Sequence, residues 1–344
     1  MVPDPSQLLG VVASPPVHAW RLLSGWQVEP LALASLAVLV VVGAAYLRAV
    51  RRLTRRGRSW SGWRVASFLG GLAVVVVAVD SGVASYDDSV FTVHVVQHLL
   101  LMSLAPPLLA LGAPVTLALQ TTSRTTKTVL LRVLHSWPVR ILSNPGVAFA
   151  LAMGTMYVYF LSPVYVLSVE HPLFHDYAHL HFLVAGCLFW WPIVSEDPMP
   201  RQLGYAARMG MLGLAVPFNA FLGVAIMNMS SPIASVHTLA DTHAGGAILW
   251  ASNELFTLGA LAVLFARWSR SEERLAARED RRAAAGVPSA AQPGRRPSLA
   301  REQAMRRRAV IPAALTPATR MPATPTPART PDTPGGTEPL PGEG

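Results

Sequence analysis

The sequence predicts an all-α membrane protein, a polytopic bundle of seven transmembrane helices with the N-terminus outside and the C-terminus in the cytoplasm. Hydrophobic residues make up 52 % of the 344 residues and charged residues only 14 %, whereas a soluble chain carries about 25 % charged residues. Seven apolar runs are long enough to cross a bilayer, for which about 20 residues suffice. Basic connections fall at alternate ends of these runs, and such loops remain in the cytoplasm under the positive-inside rule.

The first two apolar runs set the predicted orientation. Residues 1–29 form an extracytoplasmic N-terminal segment, and Pro30 opens the first run, 31–47. The loop after this run carries seven arginines between positions 48 and 64, which predicts a cytoplasmic loop. The second run, 65–84, then returns outward and ends in an acidic turn.

The third run, residues 91–119, is apolar except for His94, Gln97 and His98 near its start. Spacing of i, i+4 places the two histidines on one face of a helix. Imidazoles inside a bilayer are costly unless they find partners or serve a function. Prolines within the run remove backbone donors and are expected to strain the helix. They are Pro106, Pro107 and Pro114.

The remaining four runs complete the predicted bundle. They cover residues 145–165, 173–193, 208–229 and 244–266. The seven-helix transmembrane domain is therefore predicted over residues 30–268. Residues 269–344 are predicted to form a basic cytoplasmic tail, rich in Pro, Ala and Thr and disordered because it has too few large apolar residues to bury. The first part of it, 270–284, is charged and is expected to extend the last helix into solvent.

The histidines are concentrated at one side of the predicted bundle, with nine of the ten in the outer half. On the fifth run, the spacing of His171, His175 and His179 predicts one helical stripe, from which His181 is rotated away. Carboxylates from other spans are expected at the same depth: Asp80, Asp87 and Asp241. The predicted metal ligands are His94, His98, His171, His175, His179 and His181.

This outer group suits a borderline transition metal, because imidazole favours copper, zinc and iron. Met102, Met227 and Met229 are candidates to add soft thioether ligands. The same histidines would also suit proton relay, or a polar network that only ties the spans together. The single cysteine, Cys187, excludes an internal disulfide and any Cys-x-x-Cys metal or redox motif.

Four segments of the chain resemble the CtaG family, seven-span membrane proteins associated with assembly of bacterial haem-copper cytochrome c oxidases. They are FTVHVVQHLLLMSLAPPLLALGAPVTLAL, SPVYVLSVEHPLFHDYAHLHFLVAGCLFWWPIVSEDP, PFNAFLG and DTHAGGAILWASNEL, in this order. The resemblance covers about residues 26–270 and includes all six predicted ligands. The sequence departs from the family at Asn219, where many members have histidine, and at His243, where glutamine is usual.

The resemblance implies a cytochrome c oxidase assembly factor in the bacterial cell membrane, with oxidase subunits and the lipid bilayer as partners and no nucleic acid. We expect it to bind or deliver a copper ion at the outer side of the membrane. No nucleophile, base and orienting group occur together, so we expect no enzymatic activity. Two alternatives stay open: a bis-histidine haem-binding electron carrier, with His98 opposite His175 or His179, and a metal or proton transporter.

Overall fold

The computed structural model describes residues 25–26, 28–200 and 202–284, and within these ranges every regular element is a helix. Six helices are long and apolar enough to cross a membrane. A bent pair, Pro145–Leu161 and Val164–Glu170, provides a seventh crossing if the pair is counted as one span. The all-α class and the multi-pass architecture are therefore confirmed, while the direction of insertion stays a prediction from the basic loops.

The first two spans form an antiparallel pair. Helix α1, Pro30–Arg55, begins with proline at its first position, where no backbone donor is needed, and ends in a basic last turn. It continues well past the predicted span of 31–47, so the arginines there are helical. Helix α2, Gly62–Asp80, packs against it and is followed by the short helix α3, Gly82–Tyr86.

The third span is a chain of helical segments rather than one rod. Helix α4, Phe91–Leu99, runs into a π-helical turn at Leu100–Leu104, which leads into α5, Ala105–Leu111. The widened turn lies directly before Pro106 and Pro107, so the missing backbone donors fall in the first turn of α5. Ala113, with a φ of 48°, then separates α5 from α6, Pro114–Thr121.

Two aspartates from other parts of the chain hold the segments of this span. Asp241 accepts hydrogen bonds from the backbone N–H groups of Phe91 at 2.6 Å and Thr92 at 3.1 Å, at the start of α4. Asp197 accepts in the same way from the N–H of Thr116 at 2.7 Å, at the start of α6. A carboxylate at a helix N-terminus satisfies free donors and complements the helix dipole.

The connection after the third span is helical as well. Helices α7, Arg124–Leu134, and α8, Trp137–Leu142, contain no buried residue. The bent fourth span follows as α9, Pro145–Leu161, and α10, Val164–Glu170, with 71° between them.

The fifth span lies at the centre of the bundle. Helix α11, Pro172–Val194, packs against α9, α5 and the π-helical turn. At Gly186 its backbone comes so close to the third span that an added Cβ would lie 2.6 Å from the carbonyl oxygen of Met102. A small residue is required for this approach between membrane helices.

The last two spans are α12, Tyr205–Met227, and α13, Leu239–Ala284. Helix α13 continues without a break through the charged stretch 270–284, as expected for an extension of the last helix, so the tail that was predicted from residue 269 begins as a helix. The rest of the predicted tail, and most of the N-terminal segment, lie outside the described residues.

Candidate metal centre

Four imidazoles meet where the first two turns of α4 face the first two turns of α11. His94 and His98 come from α4, and His175 and His179 from α11, each pair at i, i+4 spacing and each side chain buried. The ring centroids are 4.4 Å apart within each pair. Between the helices they are 5.1 Å apart for His94 and His175, and 5.7 Å apart for His98 and His179. The rings therefore form a closed four-sided group.

Two carboxylates from the turn between α3 and α4 complete this group. Asp88 accepts a hydrogen bond from Nδ1 of His175 at 2.9 Å, which leaves Nε2 of that ring as the free nitrogen. Oδ2 of Asp87 lies 3.7 Å from this Nε2 and 3.8 Å from Nε2 of His179. A carboxylate that binds the outer nitrogen of an imidazole fixes its tautomer and orients the inner nitrogen toward a metal.

Several nitrogens of the group have no hydrogen-bond partner although they are buried. They are Nδ1 of His94, both nitrogens of His98 and Nε2 of His175. A buried polar atom without a partner costs about 1–3 kcal/mol. A cation that accepts an electron pair from one nitrogen of each ring would remove most of that cost, so the donor set fits a bound metal ion.

Two sets of side chains have ligand atoms within 4.8 Å of one another: His94 with His98 and His175, and Asp87 with His175 and His179. Gln97 distinguishes between them. Its amide nitrogen donates to the carbonyl of Ala78 at 3.0 Å, so its oxygen faces Nε2 of His179 at 2.8 Å and accepts a hydrogen bond from it. That nitrogen of His179 is occupied, and the first set offers more free donors.

Asp87 has an unusually high pKa for a carboxylic acid. Burial raises the pKa of Asp87 from 3.8 to about 7, although the neighbouring His175 and a hydrogen bond from Gln97 act in the opposite direction. The carboxyl group therefore changes charge near neutral pH, and a bound cation would favour its ionised form.

Aromatic side chains enclose the imidazoles. Phe182 lies edge-on to His98 with ring centroids 4.0 Å apart, and Tyr165 lies edge-on to His94 at 4.9 Å. Tyr159 contacts His94 through its hydroxyl, 3.2 Å from Nε2, and hydrogen-bonds with Ser168 at 2.6 Å. Water is therefore largely excluded from this centre.

A fifth histidine lies behind this wall. Nε2 of His237 is 2.7 Å from the hydroxyl of Tyr165. Burial lowers the pKa of His237, so its ring is neutral at pH 7.

The other predicted ligands join neither set. The prediction of one stripe through His171, His175 and His179 is wrong at His171, because α11 starts at Pro172 and His171 has an extended backbone with an exposed side chain. His181 points to a different neighbour, and its Nε2 lies 3.0 Å from the hydroxyl of Thr155.

The site also contains residues that were not among the predicted ligands. Asp87 was expected only as a carboxylate at a similar depth, and Asp88 was not expected to contribute. Their signal in the sequence is an acidic turn placed immediately before the helix that carries His94 and His98. No signal in the sequence points to Tyr159, because it is one of several aromatic residues in the fourth apolar run.

The sequence profile of the cytochrome c oxidase caa3 assembly factor (Caa3_CtaG) family matches residues 44–271, and this range contains the whole histidine group. The chain belongs to this family. The family resemblance drawn from the four sequence segments is thereby confirmed.

Three mycobacterial proteins of uncharacterised function are similar to the chain. Those of Mycobacterium bovis and Mycobacterium tuberculosis are each 37 % identical over 287 residues, covering 78 % of this chain and 43 % of the relative. That of Mycobacterium leprae is 34 % identical over 293 residues, covering 80 % of this chain and 44 % of the relative. The chain thus spans less than half the length of these relatives. No solved structure matches the chain.

Proposed function

We propose that this protein is a cytochrome c oxidase assembly factor that binds copper at the histidine group and transfers it to an oxidase subunit in a bacterial cell membrane. Membership of the oxidase assembly family supports the process. The observation that carries the metal is the set of buried imidazole nitrogens on His94, His98 and His175 that lack a hydrogen-bond partner.

Copper fits this donor set better than the other common metals. The affinity of three imidazoles for divalent first-row metals, with or without the carboxylate of Asp87, is highest for Cu²⁺ and lower for zinc, nickel and iron. Cys187 belongs to neither set, so no thiolate would hold the ion tightly. A site of nitrogen donors alone can release copper to a partner that offers thiolates, which suits transfer.

The haem alternative has less support. A haem iron needs a free nitrogen from each of its two axial imidazoles, and Nε2 of His179 is instead hydrogen-bonded to Gln97. Phe182 packs directly on His98 and occupies the neighbouring volume. The transporter alternative would need a polar route away from the histidines, and the side chains packed on their rings include the aromatic groups of Phe182 and Tyr165.

A competition titration of the purified protein tests the proposal. We expect one copper equivalent to bind in the presence of a competing chelator, and His98→Ala to weaken binding strongly. His181→Ala is the matched control, because it removes an imidazole of α11 that contacts Thr155 and does not belong to the group. Equal copper binding by wild type and His98→Ala, with both proteins folded by circular dichroism, would contradict the proposed site.

A second measurement tests the process. In cells that lack this protein, the oxidase should contain less copper, and the wild type should restore it while His98→Ala should not. If the oxidase has its normal copper content in cells that produce only the variant, oxidase assembly does not depend on metal binding at this group.

A further inference from the structure

A cavity lies at the other end of α11 from the histidines. It has a volume of about 600 Å³ and is lined by the end of α11, the start of α12, α5 and the middle of α13. From His175 to Ile193, which lines the cavity, the distance along α11 is roughly 27 Å at 1.5 Å per residue. None of the four histidines lines the cavity, so it is separate from the candidate metal centre.

The interior of this cavity is apolar. Its volume falls within the range of small-molecule sites, which are about 300–1,000 Å³ and mostly hydrophobic. Gly259 lies in the wall, and a Cβ added there would meet no atom within 4 Å. The main apolar lining residues are Leu104, Leu108, Trp190, Phe256, Val263 and Leu264.

The mouth of the cavity carries two arginines, Arg208 and Arg267. They are close enough for their positive charges to repel each other. Arg208 is held in place because its Nε donates to the carbonyl of Leu203 at 2.9 Å and its Nη1 to that of Ile193 at 3.2 Å. Neither guanidinium forms an ion pair within the described part of the chain.

The two carboxylates near the mouth are already engaged. Glu196 pairs with Arg64, and Asp197 accepts hydrogen bonds at the start of α6, including one from Thr116 at 2.7 Å. Among the described residues around the mouth, three arginines, Arg64, Arg208 and Arg267, therefore outnumber these two carboxylates, which leaves a net positive charge. Clefts with this combination of fixed cations and low-dielectric walls attract anions.

We propose that this cavity binds one anionic phospholipid, with its phosphate at Arg208 and Arg267 and an acyl chain along the apolar wall. Arginine matches phosphate through its planar fork of N–H donors. Basic pockets between transmembrane helices bind anionic lipid headgroups elsewhere. A free phosphate would satisfy the arginines but would leave the apolar interior unfilled, so the ligand is the lipid and not its headgroup alone.

Native mass spectrometry of the full chain tests this proposal. The protein is delipidated in neutral detergent and then equilibrated with an equal mixture of phosphatidylglycerol and phosphatidylcholine. We expect one retained phosphatidylglycerol. Arg267→Gln should lower the preference over phosphatidylcholine about fivefold, since a basic residue near anionic lipid contributes about 1 kcal/mol. Arg270→Gln, which removes an exposed arginine outside the cavity, should not.

Filling the cavity provides an independent variant. Gly259→Leu places a side chain into the open volume and should abolish retention of the lipid. Gly213→Leu is its match, because it adds the same side chain to a helical glycine that also has open space but lies outside the cavity.

Retention of both lipids to the same extent would overturn the proposal, as would undiminished retention in Gly259→Leu. Displacement of the lipid by inorganic phosphate alone would overturn it as well, because it would show that only the headgroup is recognised. If Gly259→Leu fails to fold, the comparison of Arg267→Gln with Arg270→Gln still decides.

Discussion

Replacing His98 by leucine separates a metal-binding role from a structural one, because the two roles predict opposite effects on the metal-free protein. Both ring nitrogens of His98 are buried and without partners, and the side chain is 1 % exposed. Leucine has a similar volume and no polar atoms. A change of this kind, which conserves volume in a core, usually costs less than about 1.5 kcal/mol.

The magnitude follows from what leucine removes. Two unpaired buried nitrogens cost about 1–3 kcal/mol each, and loss of the ring contact with Phe182 costs about 0.5–1.5 kcal/mol. The metal-free His98→Leu protein should therefore unfold at the same temperature as wild type or at a higher one. With copper at 100 times its dissociation constant, wild type should gain about 2.7 kcal/mol, and the variant should gain much less.

Thermal unfolding followed by tryptophan fluorescence, with and without copper, measures both quantities. His181→Leu is the control: it loses the contact with Thr155 but should keep the full response to copper. The reasoning is refuted if His98→Leu lowers the unfolding temperature of the metal-free protein while its response to copper stays intact. That pattern would make His98 a structural contact.

Three further predictions follow from the same geometry. Asp88→Asn should weaken copper binding about 10- to 100-fold, which is the usual effect of losing a group that orients a metal-binding histidine. The fold should change little because Asp88 is exposed. A competition titration measures the affinity, and an unchanged affinity would exclude the orienting role. Burial raises the pKa of Asp87 to about 7 in the folded state, so the metal-free protein should lose stability as the pH rises from about 4 to 7, while its affinity for copper should rise over the upper part of that range. Asp87→Asn should flatten both trends. If the trends persist in the variant, another group is responsible for them. Gly186→Ala should destabilise the bundle by about 1–3 kcal/mol through overpacking. Gly154→Ala is the control, because a Cβ added at Gly154 meets no atom within 4 Å, and it should not destabilise the bundle. Equal unfolding temperatures for the two variants would contradict the close approach of α11 to the third span.

Much of the fold could be predicted because bilayer crossing imposes a length and a composition on each span. The apolar runs located the crossings, and i, i+4 spacing placed His94 beside His98 and His175 beside His179. These are local regularities. They hold because an α-helix repeats every 3.6 residues whatever it packs against.

The details that shape the centre depend on contacts between distant residues and were not predictable. Pro172 begins α11 and leaves His171 outside the helix, although the spacing alone suggested one stripe. The 71° bend between α9 and α10 brings Tyr165 over His94, and although Pro163 marks the break in the sequence, it does not set the angle. Asp87 and Asp88 reach α11 only because the turn before α4 packs against it. Such pairings are set by the packing of whole spans.

X-ray absorption spectroscopy of the copper-loaded protein tests the central claim most directly, because it reports the atoms bound to the metal. If copper binds at His94, His98 and His175, the first shell contains only nitrogen and oxygen, and the outer shells show the multiple-scattering pattern of about three imidazoles. In His98→Leu this imidazole signal should fall by one ring. A sulfur neighbour in the first shell, or an unchanged spectrum in the variant, would contradict the proposed centre.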